Sequence, residues 1–244
     1  MVFTIAGDDG ESIEFECADT MVSRWVCQEI LRGKTYPHLP FVGDVRIVFD
    51  VGANCGATTV HLARHYPDAE VHSFEPGAEA RGYLERNAAR FPNVRVHPIG
   101  LYSVDDEVPL FHGDGDLGMG SIHSRGVNLE SSELVRLRAA GPWAAEHGIE
   151  RIDVLKVDVE GAEVEVLTSL APLLPSVKVL YLEYDSREAR RTIDALLAAT
   201  HELYIGLLFL DQGEAVYLRK DLADDPTATE HLRGMLSESM TGRA

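Results

Sequence analysis

A chain of 244 residues with a formal net charge of −18 can bury one sizeable core, but it is too acidic to track a phosphate backbone, so nucleic acid is not an expected partner. Hydrophobic residues make up 45% and charged residues 25%, and no apolar run approaches the roughly 20 residues of a membrane-spanning helix. Cys17, Cys27 and Cys55 are odd in number and form no C-x-x-C pair, and Met1–Ile5 is not a basic, apolar leader; a reducing, cytoplasmic setting without disulfides is expected.

Three zones follow along the chain. In residues 1–43, Val2–Ile5 and Ser12–Glu16 read as short strands, and Asp19–Leu31 as an amphipathic helix capped by Asp19 or Thr20 and ended by Gly33. Residues 44–222 alternate apolar runs with helical periodicity. Strands are expected at Val45–Val51, Ala69–Phe74, Val94–His97, Ile152–Val157 and Val177–Glu183. Helices are expected after Gly56, over Gly77–Arg90, and around Ser131–His147, Ala162–Leu170 and Arg187–Thr200. Buried strands separated by helices specify an α/β, Rossmann-like, doubly wound parallel sheet. Tyr204–Leu210 and Ala215–Arg219 read as a hairpin that closes this seven-stranded sheet with an antiparallel strand. Residues 223–244 form a C-terminal tail, expected as a frayed helix or without order.

The chemistry concentrates in three motifs. Asp50-Val51-Gly52-Ala53-Asn54-Cys55-Gly56 ends the first buried strand, where glycines let backbone approach a ligand and the next helix adds oriented N–H groups. Asn54 stands where a nicotinamide fingerprint has its second glycine, and no Gly-Lys-Ser/Thr follows to make a P-loop. Glu75, before Pro76, lies some twenty residues further on, where an acid accepts both ribose hydroxyls of a nucleotide-type ligand; a helix N-terminal acid is the alternative. Leu155-Lys156-Val157-Asp158-Val159-Glu160-Gly161-Ala162-Glu163 brings three carboxylates to the same sheet edge, Glu163 reading as a helix N-terminal acid.

Taken together, the glycine loop, Phe74-Glu75-Pro76 and the Leu155–Glu163 segment closely resemble the FkbM family of methyltransferases over roughly residues 45–185, and Trp25 to Tyr36 looks like the segment that precedes the domain in some members. The resemblance implies a class I methyltransferase fold, S-adenosylmethionine as cofactor, and a small-molecule or glycan hydroxyl as acceptor. It implies that Asp50, Gly52, Asn54 and Gly56 lie along the methionine moiety, that Glu75 holds the ribose, and that Gly100, Leu101, Tyr102 and Ser103 flank the adenine. Asp158 would then sit beside the reacting methyl group.

Asp158 and Glu183, at neighbouring strand ends, are the candidates for orienting an acceptor or taking its proton, with His123 an alternative base. A divalent cation held by two carboxylates is a further alternative, although no resident metal is expected. A nicotinamide-dependent oxidoreductase and a non-catalytic S-adenosylmethionine-binding protein are the competing readings, and oligomerisation stays open. His61 and His65 read as a surface pair without a third zinc ligand, and Trp25 and Trp143 as packing residues. The glycine-rich Gly113–Ser121 stretch reads as a lid loop rather than a calcium loop.

Overall fold

The computed structural model describes residues 1–113, 116–122 and 131–241. An antiparallel hairpin, β1 (Val2–Ala6) and β2 (Ser12–Glu16), turns Phe3, Ile5, Ile13 and Phe15 inward by simple alternation. Helix α1 (Met21–Leu31) follows; the Thr20 hydroxyl accepts the Ser23 N–H, so Thr20 is its cap, and Gly33 beyond it has φ 69°.

Next come β3 (Ile47–Val51), α2 (Ala57–His65), β4 (Glu70–Phe74), α3 (Ala78–Ala88) and β5 (Val94–His97). Four strands then build a smaller sheet: β6 (Gly100–Tyr102), β7 (Asp106–Gly113), β8 (Asp116–Ser121) and β9 (Ser131–Ala139), in the order β6-β9-β7-β8. The chain returns through α4 (Ala140–Glu146), β10 (Val154–Val157), α5 (Glu163–Ser169), β11 (Val179–Tyr184) and α6 (Arg187–Leu197). It finishes with the hairpin β12 (His201–Leu208) and β13 (Gly213–Arg219), then α7 (Lys220–Ala223) and α8 (Pro226–Thr241).

The main sheet has seven strands in the order β12-β13-β11-β10-β3-β4-β5. The five strands from β11 to the β5 edge run parallel, and β13 lies antiparallel to both neighbours, as the closing hairpin required. Both faces are covered, which is why the central strands read as continuous apolar runs. Val48, Val71, Val154 and Val179 face one core, shared with the N-terminal hairpin and α2. Phe49, Phe74, Leu155 and Leu180 face a second, shared with α4, α5 and α6. No helix among the described residues is long and apolar enough to cross a membrane.

Three local expectations are corrected, and of the two forms expected for the tail the structure has the helix. The helix expected from Ser131 begins only at Ala140, because Val135, Leu137 and Ala139 are buried at every second position, the period of a strand. Much of the glycine-rich stretch is strand β8, paired with β7. Trp25 is 61% exposed, whereas Trp143 is buried against Phe74 and His147. The tail is helical from Pro226, held where the Tyr204 hydroxyl donates to the Ala228 carbonyl.

Candidate functional site

Chain winding reverses between β3 and β10: β4 and β5 lie to one side of the pair, β11 to the other. In open α/β sheets the carboxyl ends at such a point frame the ligand crevice. Here a cleft opens to solvent, lined by Gly52, Asn54, Glu75, Gly100, Leu101 and Asp158 among others. The small sheet supplies an apolar wall through Leu110 and Leu137, which sequence reasoning missed because it read β9 as helix.

Local geometry explains the glycine loop. Gly52 has φ 79°, and a Cβ there would come within 1.8 Å of the Asp158 carbonyl oxygen, so no other residue fits. Asn54 takes the left-handed conformation at φ 50°, and its Oδ1 accepts the Cys55 N–H at 2.7 Å. Asn54 thus does the work of the absent glycine. The Gly52 and Ala53 N–H groups donate to the Phe74 carbonyl, tying the loop to the end of β4.

Glu75 follows directly on β4. The residue is only 8% exposed. Its carboxylate accepts the Asn54 N–H and the Gly77 N–H, each at 2.8 Å. Burial raises its pKa to about 7 despite those two bonds, which favour the charged form. Glu75 therefore braces the loop and opens α3 as well as lining the cleft.

Asp50 and Gly56 do not line the cleft. Asp50 is wholly buried beneath the loop, where its Oδ2 accepts the Thr59 hydroxyl at 2.6 Å. Gly56 caps α2 with φ 90° and packs on Leu84, which a Cβ would meet at 2.7 Å.

Lys156 was not singled out from the sequence, although a lone cation within Val154-Leu155-Lys156-Val157 was the available signal. It is 2% exposed, and its Nζ donates to the Gly52 carbonyl at 2.6 Å. The same ammonium lies 3.5 Å from Asp50 Oδ1 and 3.3 Å from Asp158 Oδ2. Burial alone would favour the neutral amine; the two carboxylates outweigh it and hold the pKa above the ordinary lysine value. Tyr36, also missed, donates its hydroxyl to Asp158 Oδ2 at 3.1 Å, which brings the N-terminal segment to the site.

Asp158 faces an acidic neighbourhood. Glu183, on β11, stands opposite Glu214 on β13. Asp158 in the first place, then burial and Glu160, raise the Glu183 pKa to about 9. The structure therefore brings Asp158 and Glu183 into electrostatic contact, as their strand positions suggested. Glu163 accepts the Val159 and Gly161 N–H groups at the start of α5, the helix-terminal role expected of it. His123 lies outside the described residues.

Comparison with known proteins fits this arrangement. The family model described as "Methyltransferase FkbM domain" matches residues 50–204. A 2-O-methyltransferase, NoeI, of Sinorhizobium fredii is 27% identical over 58% of this chain and 64% of its own length. The 31-O-demethyl-FK506 methyltransferase FkbM of Streptomyces tacrolimicus is 29% identical over 52% of this chain and 60% of its own. The AMB antimetabolite synthetase AmbE of Pseudomonas aeruginosa is 30% identical over 68% of this chain, a stretch that is 10% of that protein. The chain thus spans less than two thirds of each of these three relatives. With the family model covering the glycine loop, Glu75, the Asp158 motif and Glu183, the chain belongs to the FkbM methyltransferase family.

Proposed function

We propose that the chain transfers a methyl group from S-adenosylmethionine to a hydroxyl oxygen of a small molecule or glycan. The observation that carries this reading is one cleft wall at the winding reversal, where the Gly52–Gly56 loop, Glu75 and Asp158 are locked together. Relatives named as a 2-O-methyltransferase and a 31-O-demethyl-FK506 methyltransferase support oxygen as the acceptor atom.

The residues fit the donor. Gly52 presents bare backbone, and Glu75 retains acceptor capacity for ribose hydroxyls beyond its two backbone bonds. Gly100, Leu101, Leu110 and Leu137 offer an apolar slot for a base, while Gly52 and Asn54 flank the methionine end. Asp50 and Gly56 act from beneath by shaping the loop. S-adenosylmethionine supplies an electrophilic methyl group, and the chain aligns the acceptor, excludes water and manages the hydroxyl proton. With its pKa at about 9, Glu183 keeps its proton at neutral pH and serves as a hydrogen-bond donor. Proton removal then falls to Asp158, which Lys156 and Tyr36 hold in place. Net charge −18 and the acidic side of the cleft favour an uncharged polyol over a phosphate backbone.

Calorimetry with S-adenosylmethionine, S-adenosylhomocysteine and NAD side by side tests the reading. Binding of both sulfur ligands without NAD is expected; tight NAD binding with no heat from either would overturn it. A screen of candidate alcohols then separates an enzyme from a non-catalytic binder.

A further inference from the structure

Away from the cleft, His61 and His65 occupy successive turns of α2, a spacing that turns both rings to one face. The expected surface pair is not what folds. His61 is buried, its side chain 2% exposed, and its Nε2 has no hydrogen-bond partner. Asp8, in the turn of the N-terminal hairpin, reaches across to both. Its two carboxylate oxygens each lie 2.9 Å from His65 Nε2, and Oδ1 lies 4.0 Å from His61 Nδ1. One potential ligand atom from each residue falls within 4.8 Å of the other two.

The surroundings hold this group in place. His38 stacks on the His65 ring at 4.1 Å with planes 9° apart, fixing its orientation. Gly33 leaves room for the carboxylate, since a Cβ there would meet Asp8 Oδ2 at 2.9 Å. Arg64, the nearby cation, is engaged by Asp9 and Glu11.

We propose that Asp8, His61 and His65 form a site for a divalent transition metal, best suited to zinc. Ligand atoms placed tetrahedrally at about 2.0–2.2 Å from one ion stand about 3.3–3.6 Å apart, a spacing bracketed by the distances around Asp8. Two imidazoles and one carboxylate match zinc rather than magnesium or calcium, which take oxygen ligands. Three protein ligands leave a fourth position for water. His65 ends α2, about 13 Å along the helix from the loop at its start, so the ion fastens the N-terminal hairpin to that helix and takes no part in transfer.

Equilibrium dialysis against zinc chloride, using the full chain free of any polyhistidine tag, measures stoichiometry and affinity. One zinc per chain at micromolar dissociation constant is expected, weakened at least roughly tenfold in both His65→Ala and Asp8→Asn. Cobalt(II) substitution should give visible bands of nitrogen and oxygen ligation without sulfur charge transfer. The proposal is overturned by absence of binding, by binding that survives both substitutions, or by a sulfur-dominated cobalt spectrum, which would put the metal on Cys27 and Cys55, whose sulfurs lie 3.4 Å apart. Asp8→Asn keeps the side-chain size, and it decides the matter if His65→Ala fails to fold.

Discussion

The Lys156 ammonium lies 3.3 Å from Asp158 Oδ2, so the carboxylate that faces the cleft is tethered to a cation with almost no access to water. Because the same Nζ holds the Gly52 carbonyl, one side chain sets both loop and acid. Lys156→Met keeps the length but leaves Asp50 and Asp158 without their cation. A loss of about 3–5 kcal/mol of stability is expected by urea unfolding, since breaking one partner of a buried pair exposes the full desolvation cost of the other. An unchanged midpoint would mean that the pair carries no such weight.

Gly52→Ala is the sharpest test of the loop. The new methyl group would collide with the Asp158 carbonyl and would have to adopt φ 79°. The loop must move, so donor affinity should fall at least about tenfold by calorimetry. Wild-type affinity would show that the loop has no close contact with the ligand.

Glu75→Ala removes two hydrogen bonds as well as the proposed ribose contact. Donor affinity should drop by about 1–3 kcal/mol, and stability by a similar amount as the Asn54 and Gly77 N–H groups lose their acceptor. Calorimetry and thermal melts separate the two losses. A lower melting point with unchanged affinity would place the ribose elsewhere.

Asp158→Asn distinguishes chemistry from binding. If Asp158 takes the acceptor proton, kcat should fall by about 10²–10⁴ while donor affinity stays within a few-fold. Reduced affinity with recovered kcat at saturation would make it a donor contact instead. Loss of wild-type activity in EDTA, restored by magnesium or manganese, would point to a metal at the carboxylates.

Glu183 carries a pH signature. Its folded pKa of about 9 lies above the ordinary value of 4.5, so the folded state holds a proton that the unfolded chain gives up. That preference stabilises the fold fully below pH 4.5 and is lost as pH rises toward 9. Glu183→Gln, neutral throughout, should therefore melt like the wild type near pH 4.5 and above it at pH 8, by on the order of 1 kcal/mol after solvent screening. Equal melting points at both values would refute the shift.

What the sequence revealed was what depends on chain neighbours. Gly52, Asn54 and Glu75 were visible because turn chemistry and strand ends are local, and the parallel sheet because its strands are apolar on both faces. What stayed hidden depends on distant residues meeting. Tyr36 and Asp158 are separated by 122 positions, and Asp8 and His65 by 57. The strand at Ser131–Ala139 was misread because Leu134 and Leu137 also satisfy a helical period, and only pairing with β7 turns Leu134 outward.

Strand β6 ends at Tyr102, and β9 ends at Ala139, its direct partner in register. The described residues between them build most of the small sheet, which the chain enters and leaves at adjacent points. An excursion with coincident entry and exit can be lengthened, shortened or exchanged without moving the strands that frame the donor, because loop closure costs little more as length grows. Its residues Leu110 and Leu137 nevertheless wall the cleft. The apolar wall proposed for the donor's base thus rests partly on a separately evolvable piece of chain, and exchanging residues 103–138 between relatives is a rational way to vary that wall while the glycine loop, Glu75 and Asp158 stay in place.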